Sequence, residues 1–352
     1  MAKELVLLTG GTGYLGFAIL MDLLRSGYRV RVAARSQAKA DNVSAAPAIA
    51  TLGLLAGQLT FAIVPNMTAV GAYNDAVRDV DFIIHAAAPL HASEGSAATT
   101  TDELEDAFVT TFVQGNLGLL KSAVEKGEKV KRIVMTSSTV AIAPPEVLAG
   151  DTEALEVVRG SDHRVAVQPP PYESELHAYC AGKAAALNQA EAFMKEHTPS
   201  FDLISIIPSW IFGKDEFVTD VKGFRTGSTH VLMNGLLTGN PGVPAIGNAV
   251  LNADVARAHV RALDSDIEGN QSFVLNVEAQ WEDTIPIAKR YFPEAFKSGL
   301  FRERRPQPTL PVKWDSSKTR DVLGIELARY GAMVKEVVDQ YLELLNRNTS
   351  AM

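Results

Sequence analysis

The first 27 residues narrow the fold of this chain more than any other stretch. Leu5-Val6-Leu7-Leu8 is an uninterrupted apolar run, and Gly10-Gly11-Thr12-Gly13-Tyr14-Leu15-Gly16 follows almost at once. The next residues then place Leu15, Ile19, Leu20, Leu23 and Leu24 at helical spacing. A run apolar on both faces predicts a strand covered by helices on both sides. The stripe predicts a helix over 14–25, closed by Gly27 just past its end. Strand, glycine turn and helix in that order require a crossover to a parallel neighbour, and 28–34 supplies it with Val30, Val32 and Ala34 in alternation.

Further strands are predicted at 59–64, 80–85, 132–136, 202–207 and 271–276, with helices over 108–125, 176–195 and 254–264. The alternation indicates an α/β chain built on a Rossmann-type doubly wound parallel sheet. Residues 43–74 contain no charged side chain, but the apolar part is short and interrupted at Gly57. It predicts a buried helix, a break and a strand rather than a membrane span. From about Trp210 short segments alternate with glycine and proline. A closing helix over 327–345 carries the stripe Tyr330, Val334, Val337, Val338, Tyr341 and Leu345. The expected division is a core over 1–208 and a smaller, noncontiguous, mixed α/β lobe over 209–352, with 250–280 returning to the core.

Charge and cysteine usage exclude several function classes. Lys plus Arg number 33 against 41 Asp plus Glu, a net charge of −8. That balance argues against a nucleic-acid binder while leaving room for a local basic pocket. Cys180 is the single cysteine, so no internal disulfide and no cysteine zinc cluster can form, and the histidines lack ligand-like spacing. No metal is expected. MAKELVLLTGG shows no basic segment ahead of a detachable apolar stretch, so a cytoplasmic location is the default expectation.

Gly10, Gly13 and Gly16 sit where strand meets helix. Glycine lets phosphate oxygens approach peptide N–H groups, and the helix start offers unpaired N–H groups and a positive dipole end. The turn, with Tyr14 and Leu15, therefore reads as a pyrophosphate site of a dinucleotide-binding core; the bland alternative is a tight turn with no ligand. No G-K-[ST] follows, which disfavours a P-loop. Just past the second strand the chain reads RVAARSQAK, with no acid before Asp41. A carboxylate there would favour NAD by accepting from the ribose hydroxyls, whereas guanidinium can fork onto a 2′-phosphate. Arg35 leads, with Ser36 and Lys39 as helpers, and the cofactor expected is NADP(H). Lys39 reads equally well as a solvated charge.

Tyr179 and Lys183 are four apart in a helical segment, so they leave one face. They follow the strand that ends in Thr136-Ser137-Ser138-Thr139. A phenol with an ordinary pKa near 10 is a weak proton donor partner unless a cation favours its phenolate, and lysine supplies that field. A serine from the neighbouring strand end can hold a substrate oxygen. Cys180 has no identifiable base and reads as packing, and Ser138 lacks the G-x-S-x-G elbow of a hydrolase.

Taken in order, GGTGYLG, the arginine after the second strand, HAAAP, TSSTVA, YCAGK and PSWIFG resemble the extended short-chain dehydrogenase/reductase family over nearly the whole chain. The likeness is strongest to fungal and yeast NADPH-dependent aldehyde and ketone reductases, and more distant to plant dihydroflavonol and cinnamoyl-CoA reductases. It implies reduction of a small-molecule carbonyl to an alcohol, with Ser138, Tyr179 and Lys183 as catalytic residues. It implies cofactor contacts from Gly10, Gly13, Tyr14, Leu15, Gly16, Arg35, Ser36, Lys39, Asn66, Met67, Ala86, Ala87, Ala88, Thr136, Lys183 and Pro208. Substrate contacts are expected from His91, Thr139, Phe217 and Phe224.

The chain departs from the family pattern in three places. Asn66 stands where many relatives carry an adenine-binding Asp. TTFVQGN lacks the early asparagine of many members, so no relay through that position is assumed. The insertion over 141–175, notably HRVAVQPPP, could rim the substrate cleft. Two other functions fit the same pattern: a sugar-nucleotide epimerase or dehydratase, for which Lys214, Lys222, Arg225 and Arg302 to Arg305 offer phosphate contacts, and a nonenzymatic NADP(H)-sensing regulator. Monomer and homodimer are both compatible with the sequence.

Overall fold

The computed structural model describes residues 3–88, 100–224, 229–240, 243–303 and 307–350. Its centre is a seven-stranded sheet of β1 (Leu5–Thr9), β2 (Arg29–Ala34), β3 (Leu59–Ile63), β4 (Phe82–His85), β5 (Arg132–Thr136), β6 (Asp202–Pro208) and a later strand, Gln271–Leu275. The spatial order is Gln271–Leu275, β6, β5, β4, β1, β2, β3, and every pairing is parallel. All residues of β1 and β4 are buried, as two-sided helical cover requires. The chain runs outward from β1 in both directions, so the switch point lies between β1 and β4, where open parallel sheets bind ligands.

The helix Tyr14–Arg25 buries its apolar stripe against the sheet and packs on Asn252–Arg261 from the later part of the chain. Opposite it, Thr111–Lys126 and Glu175–His197 pack on each other. The first of these is longer than its periodicity predicts. Thr100 caps a turn over Thr101–Leu104, and a π-helical segment, Glu105–Thr110, runs on into Thr111–Lys126. The extra residue per π turn breaks the 3.6 period, which hides the helix start from sequence reading.

The polar and glycine-rich part beyond 209 forms a second set of elements: β7 (Trp210–Phe212), β8 (Ala245–Ile246), β9 (Asn248–Leu251), β10 (the Gln271–Leu275 strand above), β11 (Val277–Glu278) and β12 (Thr309–Leu310). β9 lies between β7 and β11, and β8 pairs with β12. The closing helix, Tyr330–Ser350, buries Tyr330, Met333, Val334, Val337, Val338 and Tyr341 against Phe212, Phe224 and Trp281. β10 pairs with β6 from Ile204 to Pro208 and so carries this half back into the main sheet.

One local expectation is corrected. The helix expected in 43–74 is a single turn, Pro47–Ala50, because Gly53 takes a left-handed φ of +58° and ends it. No helix among the described residues is long and apolar enough to cross a membrane. The 141–175 insertion is stapled to the rest of the molecule: Arg159 N–H donates to Lys313 O, Asp315 N–H donates to Arg159 O, and Arg164 binds Glu191 and Ser272.

Candidate active site

The glycine turn is shaped by how closely β4 passes it. Gly10 has φ +76°, and a Cβ there would sit 2.7 Å from the backbone of Ala86 and Ala87. Ala87 N–H donates to Thr9 Oγ1 at 3.1 Å, fixing that approach. A Cβ on Gly16 would lie 1.9 Å from Gly10 O. The helix begins with Gly13 at its cap, with no side-chain cap bond and no acid in its first turn. Its first N–H groups therefore remain available to an anion, and this fits the pyrophosphate of a dinucleotide. Two side chains of the turn face the protein instead: Tyr14 OH donates to Gly213 O at 3.0 Å, and Leu15 packs on the core.

Beyond β2 and β3 the cofactor candidates lie on the surface. Arg35 and Lys39 are exposed, and Ser36 Oγ caps the helix Gln37–Ser44 by accepting from Lys39 N. Asn66 is exposed past the end of β3, and Met67 lies against Gly115 and Gly118 of the Thr111–Lys126 helix. Pro208 ends β6 beside Leu275.

At the carboxyl end of β5 the catalytic candidates come together. Ser138 caps a short turn, Thr139–Ile142. Its hydroxyl interacts with the Tyr179 phenol and pulls the phenol's pKa down, but burial dominates and pushes it up to about 12. Phe108 and Phe112 meet the Tyr179 ring edge-on, at centroid distances of 6.2 and 5.6 Å. Lys183 is buried; its Nζ lies 4.8 Å from the Phe112 ring centroid and 5.8 Å from that of Tyr179. Burial pushes its pKa down to about 8. Cys180, the neighbouring thiol, is buried and pushed up to about 12, which disfavours a thiolate nucleophile.

Behind Lys183 is a cavity of about 20 Å³, lined by Phe112, Asn116, Thr136, Ser137 and Ser205 among others. That is room for about one water. Ser137 Oγ has no hydrogen-bond partner there. Sequence reading missed Asn116 and Ser205. Asn116 is one regular helical turn past Phe112, and it reaches the cavity because the helix Thr111–Lys126 packs on Glu175–His197, a contact between distant parts of the chain.

Two buried histidines hold the strand ends. His259 Nδ1 meets Val255 O at 2.8 Å, so Nδ1 carries the proton and Nε2 accepts from Thr136 Oγ1, also at 2.8 Å. Thr9 Oγ1 lies 2.8 Å from His85 Nδ1. Burial pushes both histidines down to about 4; Lys183 adds to the push on His85, and the Asn116 side chain opposes it. The Thr136 hydroxyl is thus engaged by protein rather than free for a cofactor.

Several expected substrate contacts have other places. Thr139 is buried, and its hydroxyl accepts from Asn248 Nδ2 at 3.3 Å. Phe217 packs on Phe17 with tilted rings, centroids 4.8 Å apart, against the glycine-turn helix, and Phe224 is buried beside Tyr341 in the second apolar cluster. Both phenylalanines fill packing positions because large apolar side chains there have core neighbours to cover them. His91 lies outside the described residues. The HRV part of the insertion is held away from Tyr179: Asn188 and Glu191 bind it about 7.5 and 12 Å along the helix axis past Lys183. Among the described residues no group of three or more His, Cys, Asp or Glu is arranged to hold a metal.

Residues 6–277 match the NAD dependent epimerase/dehydratase family. The chain is similar to ketoreductase CTB6 of Cercospora nicotianae, with 37% identity over 98% of this chain and 96% of that one. It is also similar to the NAD-dependent epimerase/dehydratase ALT6 of Alternaria alternata, with 30% identity over 97% and 98% of the two chains. Among solved structures it resembles yeast methylglyoxal/isovaleraldehyde reductase Gre2 complexed with NADPH. That match has a TM-score of 0.79, 24% identity, and covers 97% of this chain and 99% of the other.

Proposed function

The chain belongs to the NAD dependent epimerase/dehydratase family, and from that premise we propose that it reduces an aldehyde or ketone to the alcohol with NADPH, Tyr179 being the general acid. The observation that carries this reading is the meeting of Tyr179, Ser138 and buried Lys183 at the carboxyl end of β5, beside an uncapped helix start at the switch point. NADPH held along that edge supplies the hydride for the carbonyl carbon. Ser138 Oγ orients the carbonyl oxygen, and Tyr179 OH donates its proton to that oxygen as charge develops. A phenol pushed up to about 12 keeps its proton at neutral pH. The Lys183 ammonium, close to the ring, stabilises the phenolate left behind, which then regains a proton from solvent.

Arg35 supports NADPH over NADH. It is exposed just past β2 with no carboxylate at that strand end, and its guanidinium can grip a 2′-phosphate. The similarity to relatives called ketoreductases supports a carbonyl substrate, whereas the relative called an epimerase/dehydratase keeps a sugar-nucleotide reaction as the rival.

Loss of absorbance at 340 nm with a panel of aldehydes, ketoesters and aryl ketones separates the two readings. Net NADPH consumption is expected. Conversion of a UDP-sugar without net cofactor use would instead assign the epimerase reaction. Tyr179→Phe is expected to lower kcat by about 10²–10⁴-fold while NADPH still binds. Full activity in that variant would remove the phenol from the mechanism.

A further inference from the structure

We infer that Asn248 is a positioning residue for Ser138: from the second set of strands it fixes the turn that aims the serine hydroxyl at the reacting oxygen. The inference rests on the carbonyl-reduction reading above and adds a residue that acts through the turn rather than on the substrate.

Ser138 lies between two anchors. On one side Ser137 N–H donates to Ile206 O at 2.7 Å, which ties the preceding residue to β6. On the other side Thr139 is 2% exposed, and its hydroxyl accepts from Asn248 Nδ2 at 3.3 Å. A hydroxyl can donate as well as accept, so the pair is kept whichever end of the carboxamide meets it.

The serine hydroxyl follows the turn that these anchors hold. Ser138 is extended, with φ −161° and ψ 154°, and its carbonyl oxygen accepts from Ala141 N–H at 2.9 Å. Val140 N–H donates to Ser138 Oγ at 3.4 Å, and this leaves the serine's own proton for the Tyr179 phenol or a substrate oxygen. A shift of Thr139 moves the Val140 amide and redirects that proton.

The anchor at Asn248 is stiff because backbone holds it from behind. Asn248 opens β9, whose four residues are all buried, and it pairs with Glu278 of β11. Just before it, Gly247 N–H donates to Leu310 O at 2.9 Å, and Gly247 O accepts from Ala279 N–H at 3.1 Å. A Cβ on Gly247 would lie 2.3 Å from both Ala279 O and Thr309 Cγ2, so the chain is pressed between β12 and the end of β11. An asparagine in a fully buried strand costs desolvation, which its bond to Thr139 offsets.

Steady-state kinetics with NADPH and one carbonyl substrate test this in a double-mutant cycle with Ser138→Ala. Asn248→Ala is expected to lower kcat by about tenfold or more, while the Kd for NADPH from fluorescence titration stays within about twofold. In the Ser138→Ala background the same change is expected to cost less than about twofold, since no serine hydroxyl is left to aim. Thr139→Val keeps the side-chain shape and loses the bond. It is expected to match Asn248→Ala in both backgrounds, and it carries the test if Asn248→Ala does not fold. Thr139→Ser, which retains the hydroxyl, is expected to keep most of kcat. Equal losses with and without Ser138 would make Asn248 a structural residue and overturn the inference, as would full kcat in Asn248→Ala. Either result leaves the reductase reading standing. Absence of NADPH-dependent carbonyl turnover in the wild-type protein overturns both.

Discussion

Lys183 is an ammonium buried without a carboxylate partner among the described residues. Its neighbours are the faces of Phe112 and Tyr179, which attract a cation through their quadrupoles but do not replace water. Desolvation therefore wins, and the group titrates at about 8. The consequence for pH follows from which form the reaction needs. Tyr179 keeps its proton until about 12, so it does not limit reduction at neutral pH. The protonated lysine is lost as pH rises through about 8. The kcat/KM for reduction, which reports the free enzyme, is expected to be level below that point and to fall by about tenfold per pH unit above it. A profile level to pH 10 would show that the ammonium is not needed. The pair was readable in the sequence from its spacing; the direction of the tyrosine's shift was not, because burial is a property of the assembled site.

At the scale of elements, the site depends on how closely two helices approach. Gly182 lies on the Glu175–His197 helix between Tyr179 and Lys183. A Cβ there would be 2.9 Å from Phe112 Cδ2 and 3.0 Å from the Phe108 carbonyl group. Glycine thus lets the π segment Glu105–Thr110 press on the turn that carries both catalytic candidates. Gly182→Ala is expected to cost about 1–3 kcal/mol in urea unfolding, the usual range for overpacking. It should also lower kcat by at least about tenfold with the Kd for NADPH unchanged, since small misplacements of reacting groups are expensive. Lost stability with full kcat would make the contact structural only. The apolar periodicity located the helix carrying Tyr179 almost to its ends, whereas the π segment could not be read from a 3.6-residue pattern.

On the scale of the whole molecule, residues 213–217 join the glycine-turn helix to the closing helix. Tyr14 OH donates to Gly213 O, Asp215 N–H donates to Gln340 Oε1, and Gln340 Nε2 donates back to Asp215 O. Arg25 pairs with Glu216 at 2.7 Å. Burial at this junction pushes the Asp215 carboxyl up to about 6, and the Phe217 and Val218 amides only partly oppose it. An acid whose folded pKa is raised binds more protons folded than unfolded between about 4 and 6. Its contribution to stability is complete below the unfolded value and is lost as pH rises through about 6. Asp215→Asn, which keeps an acceptor for Phe217 N–H, is therefore expected to raise Tm by about 2–4 °C at pH 8. The gain should vanish near pH 4, as differential scanning calorimetry at the two pH values would show. An equal gain at both would point to something other than the charge.

The sequence by itself determined the parallel sheet, the glycine turn and the Tyr179–Lys183 face. Each depends on short-range rules: an apolar run too long to be half-buried, a backbone angle only glycine takes freely, and a four-residue helical offset. Tertiary structure decided the rest. Phe217 and Phe224 went into packing, Thr139 bonded Asn248, and the insertion fastened to Glu191 and Lys313, because each of these depends on a surface supplied by distant chain. Asn116 and Ser205 joined the wall beside Lys183 for the same reason. Periodicity records what one element needs to bury; it does not record which neighbour will cover it.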